Sequence, residues 1–209
     1  MNQLIQEAKN IIFDLGAVII NITPETVVNA FKSAYKGDFE LKYTRLVASG
    51  IFEDYEIEKV NSTEFLTTIY EALERQVNME EIEIIWNKML LDIPKKRIEI
   101  LQKQKEIKNT FLCSNTNEIH IDVINKYIKD EFQINELEPL FHKVYLSYKL
   151  GVRKPNPEIF QLILDENKLI PADTLFIDDS AEHIATANKL GIKTIHLTGG
   201  LTLETLFTT

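Results

Sequence analysis

A short apolar run at residues 11–13 constrains the fold most, because it ends at a carboxylate, Asp14, just before a turn at Gly16. A run of this length without alternating polar residues is typical of a strand that is buried on both faces, as in a parallel sheet. In open sheets of this kind the reactive crevice lies beyond the carboxyl ends of the strands. Asp14 is therefore a candidate catalytic residue, although a single aspartate after a strand more often only caps a turn.

The second half of the chain alternates between helical and strand patterns. Short apolar runs predict four further strands, and amphipathic segments with helical spacing lie between them. Strands that alternate with helices imply right-handed crossovers and therefore a parallel sheet. The sequence predicts an α/β fold with a Rossmann-like, five-stranded parallel sheet flanked by helices. The four further strands are expected at residues 110–114, 143–146, 174–177 and 193–197.

Residues 21–94 show helical patterns throughout. Apolar residues recur there at helical spacing in four stretches, and Asp38 and Asn61 stand where helix N-caps are expected. Asn61 also begins the pattern of a capping box. We therefore predict two units: a catalytic core made of residues 1–20 and 95–209, and an α-helical bundle inserted after the first strand.

Composition narrows the range of functions. The net charge of −9 argues against nucleic-acid binding, because surfaces that bind phosphate backbones carry clustered lysine and arginine. The single cysteine, Cys113, excludes an internal disulfide and fits a reducing compartment. The first residues do not form a signal-peptide pattern, and no apolar run approaches the roughly 20 residues that span a bilayer. We expect a cytoplasmic protein that binds neither nucleic acid nor membranes, and the oligomeric state stays open.

Polar residues follow four of the five predicted strands, namely Asp14, Ser114, Lys154 and the pair Asp178 and Asp179. Each of them alone has an ordinary explanation, such as a helix cap or a surface charge. Together they match what phosphoryl transfer requires. A carboxylate can attack phosphorus, further carboxylates can hold Mg²⁺, and a hydroxyl and an ammonium can stabilise the phosphoryl oxygens. Helix N-termini beyond the strands would add N–H donors for the same anion.

In these stretches the sequence resembles the haloacid dehalogenase superfamily of aspartate-nucleophile hydrolases. The counterparts of its four motifs, in the family's order, are FDLGAV at 13–18, LCSNT at 112–116, GVRKP at 151–155 and FIDDS at 176–180. The helical segment resembles the cap domain that the family inserts after its first motif. The wording of the motifs is most similar to the branch that includes α-D-glucose-1-phosphate phosphatase. The resemblance implies a Mg²⁺-dependent phosphatase that acts on a small phosphorylated metabolite, such as a sugar phosphate, through an aspartyl-phosphate.

The resemblance also implies a nucleophile and a set of metal ligands. Asp14 would be the nucleophile and would bind Mg²⁺ together with the backbone carbonyl of Gly16. Asp179 would be a direct ligand, and Asp178 would lie beside it or act through water. Three carboxylates in one place repel one another unless a cation lies among them, which is a physical reason to expect the metal.

The phosphate-binding residues implied by the resemblance come from the second and third motifs. Lys154 would pair with both Asp14 and the phosphate, so it is a catalytic residue as well as a binding residue. Ser114 and the backbone around Asn115 would also bind the phosphate. The order of these residues along the chain excludes a receiver domain, because receivers place the acidic pair at the first strand.

One position departs from the family's pattern. Most phosphatases of the family carry a second aspartate two residues after the nucleophile, where it acts as a general acid and base, but this chain has Gly16. Loss of such a group typically costs roughly 10²–10⁴ in rate. Tyr55, Glu56 and Glu58 in the helical segment are candidate replacements, although each also has an ordinary place on the surface or in the bundle.

Two other functions stay open. A 2-haloacid dehalogenase uses the same aspartate to attack carbon and needs no metal, but the pair Asp178 and Asp179 does not help to displace a halide. A non-catalytic protein that binds a phosphorylated metabolite would account for Gly16. His120, His142 and His196 show no metal-ligand spacing, so we interpret them as structural residues. His183, on the helix after the acidic pair, is not counted among the candidate site residues.

Overall fold

A five-stranded parallel sheet is the centre of the fold in the computed structural model, which describes residues 2–208. The strands are β1 Asn10–Phe13, β2 Asn109–Ser114, β3 Lys143–Leu146, β4 Thr174–Asp178 and β5 Lys193–His196. Their order across the sheet is β3-β2-β1-β4-β5, and all four neighbouring pairs are parallel. This arrangement confirms the predicted α/β fold class and the five strands.

The central strand β1 shows why the sheet is apolar on both faces. Ile11 and Phe13 belong to one buried cluster, while Ile12 between them belongs to another. Alternate residues of a strand point to opposite faces, so helices cover both sides of the sheet. Phe13 is level with Leu112 of β2 and with Ile177 of β4. The residues that follow β1, β2 and β4 therefore emerge side by side at the same edge.

The helices divide into those that flank the sheet and those of the inserted segment. In chain order they are α1 Gln3–Glu7, α2 Pro24–Ala34, α3 Phe39–Ser49, α4 Ile51–Glu56, α5 Ser62–Ala72, α6 Met79–Trp86, α7 Lys95–Ile107, α8 Glu118–Phe132, α9 Ser147–Leu150, α10 Pro157–Glu166, α11 Ala181–Lys189 and α12 Leu203–Phe207. Helices α2 to α6 lie between β1 and α7. Among residues 2–208, none of these helices combines the length and the hydrophobicity needed to cross a membrane.

Helices α2 to α6 bury an apolar cluster that is separate from the clusters on the sheet and also includes Ile119 of α8. Phe65 is completely buried, and its ring stacks on Tyr55 with ring centres 4.2 Å apart. Asn61 forms the predicted capping box at the start of α5, and the side chain of Asp38 caps α3 as predicted. The inserted segment is thus stabilised by its own core and its own helix caps.

The two passages between the sheet and the helical segment run beside each other. Asn21 donates its backbone N–H to Asp92 and accepts from Leu91, both at 2.9 Å. Ile22 and Leu90 form an isolated antiparallel bridge in the same place. This short antiparallel contact ties the entry and the exit of the helical segment together.

Three short helices were not expected from the sequence, namely α1, α9 and α12. Each has five or fewer residues, which is too short for apolar periodicity to show. The predicted strands, by contrast, agree with the observed bounds to within one residue at each end. Strands of only four residues were still predicted, because a continuous apolar run indicates a buried strand, whereas a helix must be longer before its periodicity shows.

Candidate active site

Three of the predicted site residues meet in one buried group beyond the strand ends. The ammonium nitrogen of Lys154 lies 2.7 Å from Asp14 Oδ1 and 2.7 Å from Asp178 Oδ2. The side chains of Lys154 and Asp178 have no exposed surface, and that of Asp14 is 10% exposed. Two buried carboxylates share one ammonium, so the group keeps a net negative charge.

A third carboxylate completes a possible cation site. Asp14, Asp178 and the exposed Asp179 can each offer an oxygen such that all three lie within 4.8 Å of one another. With the charge of Lys154 included, these residues carry two net negative charges, which a divalent cation would balance. Carboxylate oxygens are the ligands that Mg²⁺ prefers in proteins, so the donor set fits this ion.

Asp178 is the most firmly held of the three acids. Its Oδ1 accepts the backbone N–H of Ser180 at 2.7 Å, and Nδ1 of His183 lies 3.0 Å from both of its oxygens. Burial disfavours the charged form of Asp178, but the contacts with His183 and Lys154 outweigh it and lower the pKa to about 2. Asp178 is therefore a fixed anion that orients Lys154.

His183 is a site residue that the sequence analysis did not identify. It lies in the first turn of α11, directly after the acidic motif. A histidine five residues after Asp178, in the first turn of the following helix, can reach back to that carboxylate. This sequence position is the only signal that could have indicated the contact.

The charge state of Asp14 follows from its surroundings. Burial is the main cause that raises its pKa to about 6, and the charge of Asp178 acts in the same direction while Lys154 opposes both. Burial would also lower the pKa of Lys154, but the two carboxylates raise it instead. A cation beside Asp14 would favour its ionised form, which is the nucleophilic one.

The loop after β2 is tied to the loop that carries Lys154. Asn115 Nδ2 donates to the backbone carbonyl of Lys154 at 2.8 Å, and the backbone N–H of Lys154 donates to Asn115 Oδ1 at 2.9 Å. Ser114 lies at the end of β2 and is buried, with its hydroxyl 3.3 Å from the carbonyl of Asn115. The side-chain amide of Asn115 thus positions Lys154. The backbone N–H of Asn115 is then the group of this residue that is predicted to bind phosphate.

Gly16 lies in the turn directly after Asp14, where there is little room for a side chain. A Cβ atom at this position would come within 3.1 Å of Ile22 Cδ1, so the isoleucine would have to move. Ala17, the next residue, has a left-handed backbone conformation with φ of 56°. The carbonyl of Gly16 as a metal ligand stays a prediction.

The three candidate replacement acids have different surroundings. Glu56, at the end of α4, forms an ion pair with Arg153, whose Nε lies 2.8 Å from Oε2 of the glutamate. Tyr55 is buried and its hydroxyl accepts a hydrogen bond from the backbone N–H of Ile119 at 3.4 Å. Glu58 is exposed and lies beyond the end of α4. Only Glu56 of these three contacts the loop of the third motif.

Cys113 and His196 lie close to this site. Cys113 is completely buried in β2, and burial raises the pKa of its thiol to about 12, so it is not a nucleophile. His196 Nε2 lies 2.8 Å from the backbone carbonyl of Asp179 and so supports the position of the acidic pair.

Comparison with known proteins extends these observations. A family model described as a haloacid dehalogenase-like hydrolase matches residues 8–191. The D-ribitol-5-phosphate phosphatase of Bacteroides thetaiotaomicron is 31% identical over 195 residues, which cover 92% of this chain and 93% of that one. The similarity therefore includes both the core and the helical segment.

Solved structures of family members are also similar to this chain over most of its length. A haloacid dehalogenase family enzyme from Bacteroides thetaiotaomicron, in complex with magnesium and inorganic phosphate, is 34% identical, with a TM-score of 0.85 and coverage of 96% of this chain and 100% of that one. A protein from Porphyromonas gingivalis, described as a predicted haloacid dehalogenase-like family hydrolase, is 29% identical, with a TM-score of 0.82 and 93% of both chains covered. The L-2-haloacid dehalogenase of Xanthobacter autotrophicus shares only the fold, at 16% identity and a TM-score of 0.55 over 91% of this chain and 77% of that one. The chain belongs to the haloacid dehalogenase-like hydrolase family, as its four motifs predicted.

Proposed function

We propose that this protein is a Mg²⁺-dependent phosphatase that hydrolyses a small phosphorylated metabolite of the sugar-phosphate or polyol-phosphate class. The observation that carries the proposal is the buried ammonium of Lys154, 2.7 Å from both Asp14 and Asp178, with Asp179 close by. Two comparisons support it: one with a phosphatase named for D-ribitol 5-phosphate, and one with a structure solved with magnesium and inorganic phosphate. The closer likeness to the glucose-1-phosphate phosphatase branch stays a prediction.

In the first half of the proposed reaction, a carboxylate oxygen of Asp14 forms a bond to phosphorus while the bond to the leaving oxygen breaks. Lys154 orients Asp14 and stabilises the oxygens of the phosphoryl group. Ser114 and the backbone N–H of Asn115 bind the same oxygens. When bound by Asp14, Asp178, Asp179 and the carbonyl of Gly16, Mg²⁺ would supply positive charge to the phosphoryl group.

In the second half, a water molecule attacks the phosphorus of the aspartyl-phosphate. The bond between phosphorus and the Asp14 oxygen breaks, so inorganic phosphate leaves and the carboxylate is restored. We further propose that residues 21–94 act as a cap that excludes bulk water during both halves. The ring of Trp86 stacks on His120 of the core at 5.0 Å, and the ion pair of Glu56 with Arg153 provides a second contact for such a cap.

The test is a phosphate-release assay over a panel that includes D-ribitol 5-phosphate and glucose 1-phosphate, with Mg²⁺ and with a chelator. We expect release with Mg²⁺, none with chelator, and none from an Asp14→Asn variant. Binding of a phosphorylated metabolite without release would favour the non-catalytic alternative. Chloride release from a 2-haloacid that persists in chelator would favour the dehalogenase alternative.

A further inference from the structure

Glu56 approaches the catalytic groups from the side of the helical segment. It is the last residue of α4, about a quarter of its side chain is exposed, and its Oε2 atom is buried 2.8 Å from Arg153 Nε. The charges of Lys154, next to Arg153, and of His183, which contacts Asp178, also act on the Glu56 carboxyl. Charged groups of two core elements thus face this one carboxyl group.

The surroundings of Glu56 raise the pKa of its carboxyl. Burial is the main cause that raises the pKa of Glu56 and Glu53 acts in the same direction, while Arg153, Lys154 and His183 lower it without reversing the shift. The contact with Arg153 is an ion pair without hydrogen-bond geometry, and within residues 2–208 the buried Oε2 has no hydrogen-bond donor. A buried carboxylate oxygen that lacks a donor is costly, which acts in the same direction as burial and makes this carboxyl easier to protonate than an exposed glutamate.

The proposed reaction needs a proton donor that the other acids of the site do not provide. Asp14 is the nucleophile, and Asp178 is held as an anion by Lys154 and His183. Asp179 belongs to the cation site, and position 16 is a glycine. An alkoxide is a poor leaving group unless it is protonated as it departs.

We infer that Glu56 is the general acid and base of this active site, an inference that rests on the proposed function. In the first half of the reaction, the Glu56 proton moves to the leaving oxygen as its bond to phosphorus breaks, which releases the alcohol. In the second half, the Glu56 carboxylate takes a proton from the attacking water as the water oxygen bonds to phosphorus. The glutamic acid is thereby restored when inorganic phosphate forms.

Glu56→Gln and a matched control, Asp54→Asn, test this role on two substrates. Asp54 lies on the same helix and pairs with Lys59 at 3.0 Å, and about a third of its side chain is exposed. D-ribitol 5-phosphate has an alkoxide leaving group, and we expect Glu56→Gln to lower its kcat by about 10²–10⁴-fold. We expect Asp54→Asn to stay within about twofold of the wild type, as exposed ion pairs contribute little.

p-Nitrophenyl phosphate separates the two halves of the reaction, because its phenolate leaves without a proton. With Glu56→Gln we expect a rapid burst of p-nitrophenolate, about one per active site, and then slow turnover, since the second half still lacks its base. Glu56→Asp, which keeps a carboxyl group, is expected to recover part of the turnover and to shorten the slow phase. Thermal melting of each variant verifies that the protein is folded, and Glu56→Asp takes the same burst test if Glu56→Gln does not fold.

Three results would overturn the inference. The first is a Glu56→Gln variant with wild-type kcat on the alkyl phosphate. The second is an equal loss on both substrates with a raised KM and no burst, which would assign Glu56 to holding α4 against Arg153. The third is a wild-type protein that releases phosphate from no member of the panel and not from p-nitrophenyl phosphate, which would overturn the proposed function itself, whereas the first two would overturn only the role of Glu56.

Discussion

Lys154 donates a 2.7 Å hydrogen bond to Asp14 across 140 residues of chain, and its side chain is completely buried. The same ammonium is the partner of Asp178. Removing it would leave two carboxylates close together with little solvent around them. The candidate nucleophile is therefore held in place by a group that also determines much of the stability of this edge of the sheet.

Replacement of Lys154 by methionine tests this dependence. We expect Lys154→Met to lower the free energy of unfolding by about 3–5 kcal/mol, because it leaves buried charges unpaired. Saturating Mg²⁺ should restore more stability to this variant than to the wild type, since a cation can take over part of the lost charge. Urea denaturation with and without Mg²⁺ measures both effects. Lys9→Met is the control: Lys9 is paired with Asp173 at the surface, and a loss as large as that of Lys154→Met would contradict the argument.

The predicted cation site gives a second expectation. Mg²⁺ should stabilise the folded protein, by about 2.7 kcal/mol at a concentration one hundred times its Kd. Asp179→Asn removes the exposed carboxylate of the site and should raise the Kd for Mg²⁺ by tenfold or more. This corresponds to a loss of about 1.4 kcal/mol or more of binding free energy. Thermal melting against Mg²⁺ concentration measures this change. Asp165→Asn, an exposed substitution on α10, is the control and should show the wild-type dependence of the melting temperature on Mg²⁺. The same wild-type dependence for Asp179→Asn would show that Asp179 is not a Mg²⁺ ligand.

A third expectation concerns the junction between the core and the helical segment. Arg97 is buried in α7, where its Nη1 donates to the carbonyl of Ile19 at 3.2 Å and to Asn21 Oδ1 at 3.0 Å, and its Nε lies 3.0 Å from Glu204. Arg97→Met should cost about 2 kcal/mol, because these acceptors lose their donor.

The control for Arg97→Met is Lys96→Met, which removes an exposed neighbour paired with Glu99. Chemical denaturation of both variants gives the comparison. At temperatures below melting, kcat of Arg97→Met should stay close to that of the wild type, because Arg97 does not contact the catalytic groups. A specific loss of kcat at full folding would show that the junction also affects the chemistry.

Much of the site could be predicted because strand ends are easy to recognise. Asp14 and Asp178 follow or end short apolar runs, and the parallel order of the strands brings such ends together without further information. The similarity to the family's third motif then indicated Lys154. Apolar periodicity could not have located this residue, because it lies in a loop outside any helix or strand. Asn61 was likewise predictable, because a capping box is a local pattern.

The contacts that the sequence did not predict depend on side-chain direction. Arg97 in the first turn of α7 is buried, although nothing in the local sequence distinguishes it from its exposed neighbours. Asn115 bonds to the backbone of Lys154 across two loops, and Glu56 is one of three acids on a six-residue helix. Neither apolar periodicity nor spacing determines which of these side chains points across the junction between the core and the helical segment. The direction of each side chain depends on how the core and the helical segment pack.

His120 gives the last prediction, on the dependence of stability on pH. Its ring is buried between the core and the helical segment, stacked on Trp86, and burial lowers its pKa to about 4 against an ordinary value of 6.5. Between these two pH values the unfolded chain binds a proton that the folded protein does not. The contribution of His120 is therefore complete above pH 6.5 and is lost as the pH falls toward 4, by up to roughly 3 kcal/mol.

His120→Gln removes this titration while keeping a polar side chain at the same place. The variant should lose less stability than the wild type between pH 7 and pH 4.5, because all other titrating groups are common to the two proteins. Denaturant unfolding at both pH values gives the difference. Lys126→Gln, an exposed substitution on the same helix, should follow the wild type. If His120→Gln also follows the wild type, burial of the neutral imidazole is not what makes the contact between the two units sensitive to acid.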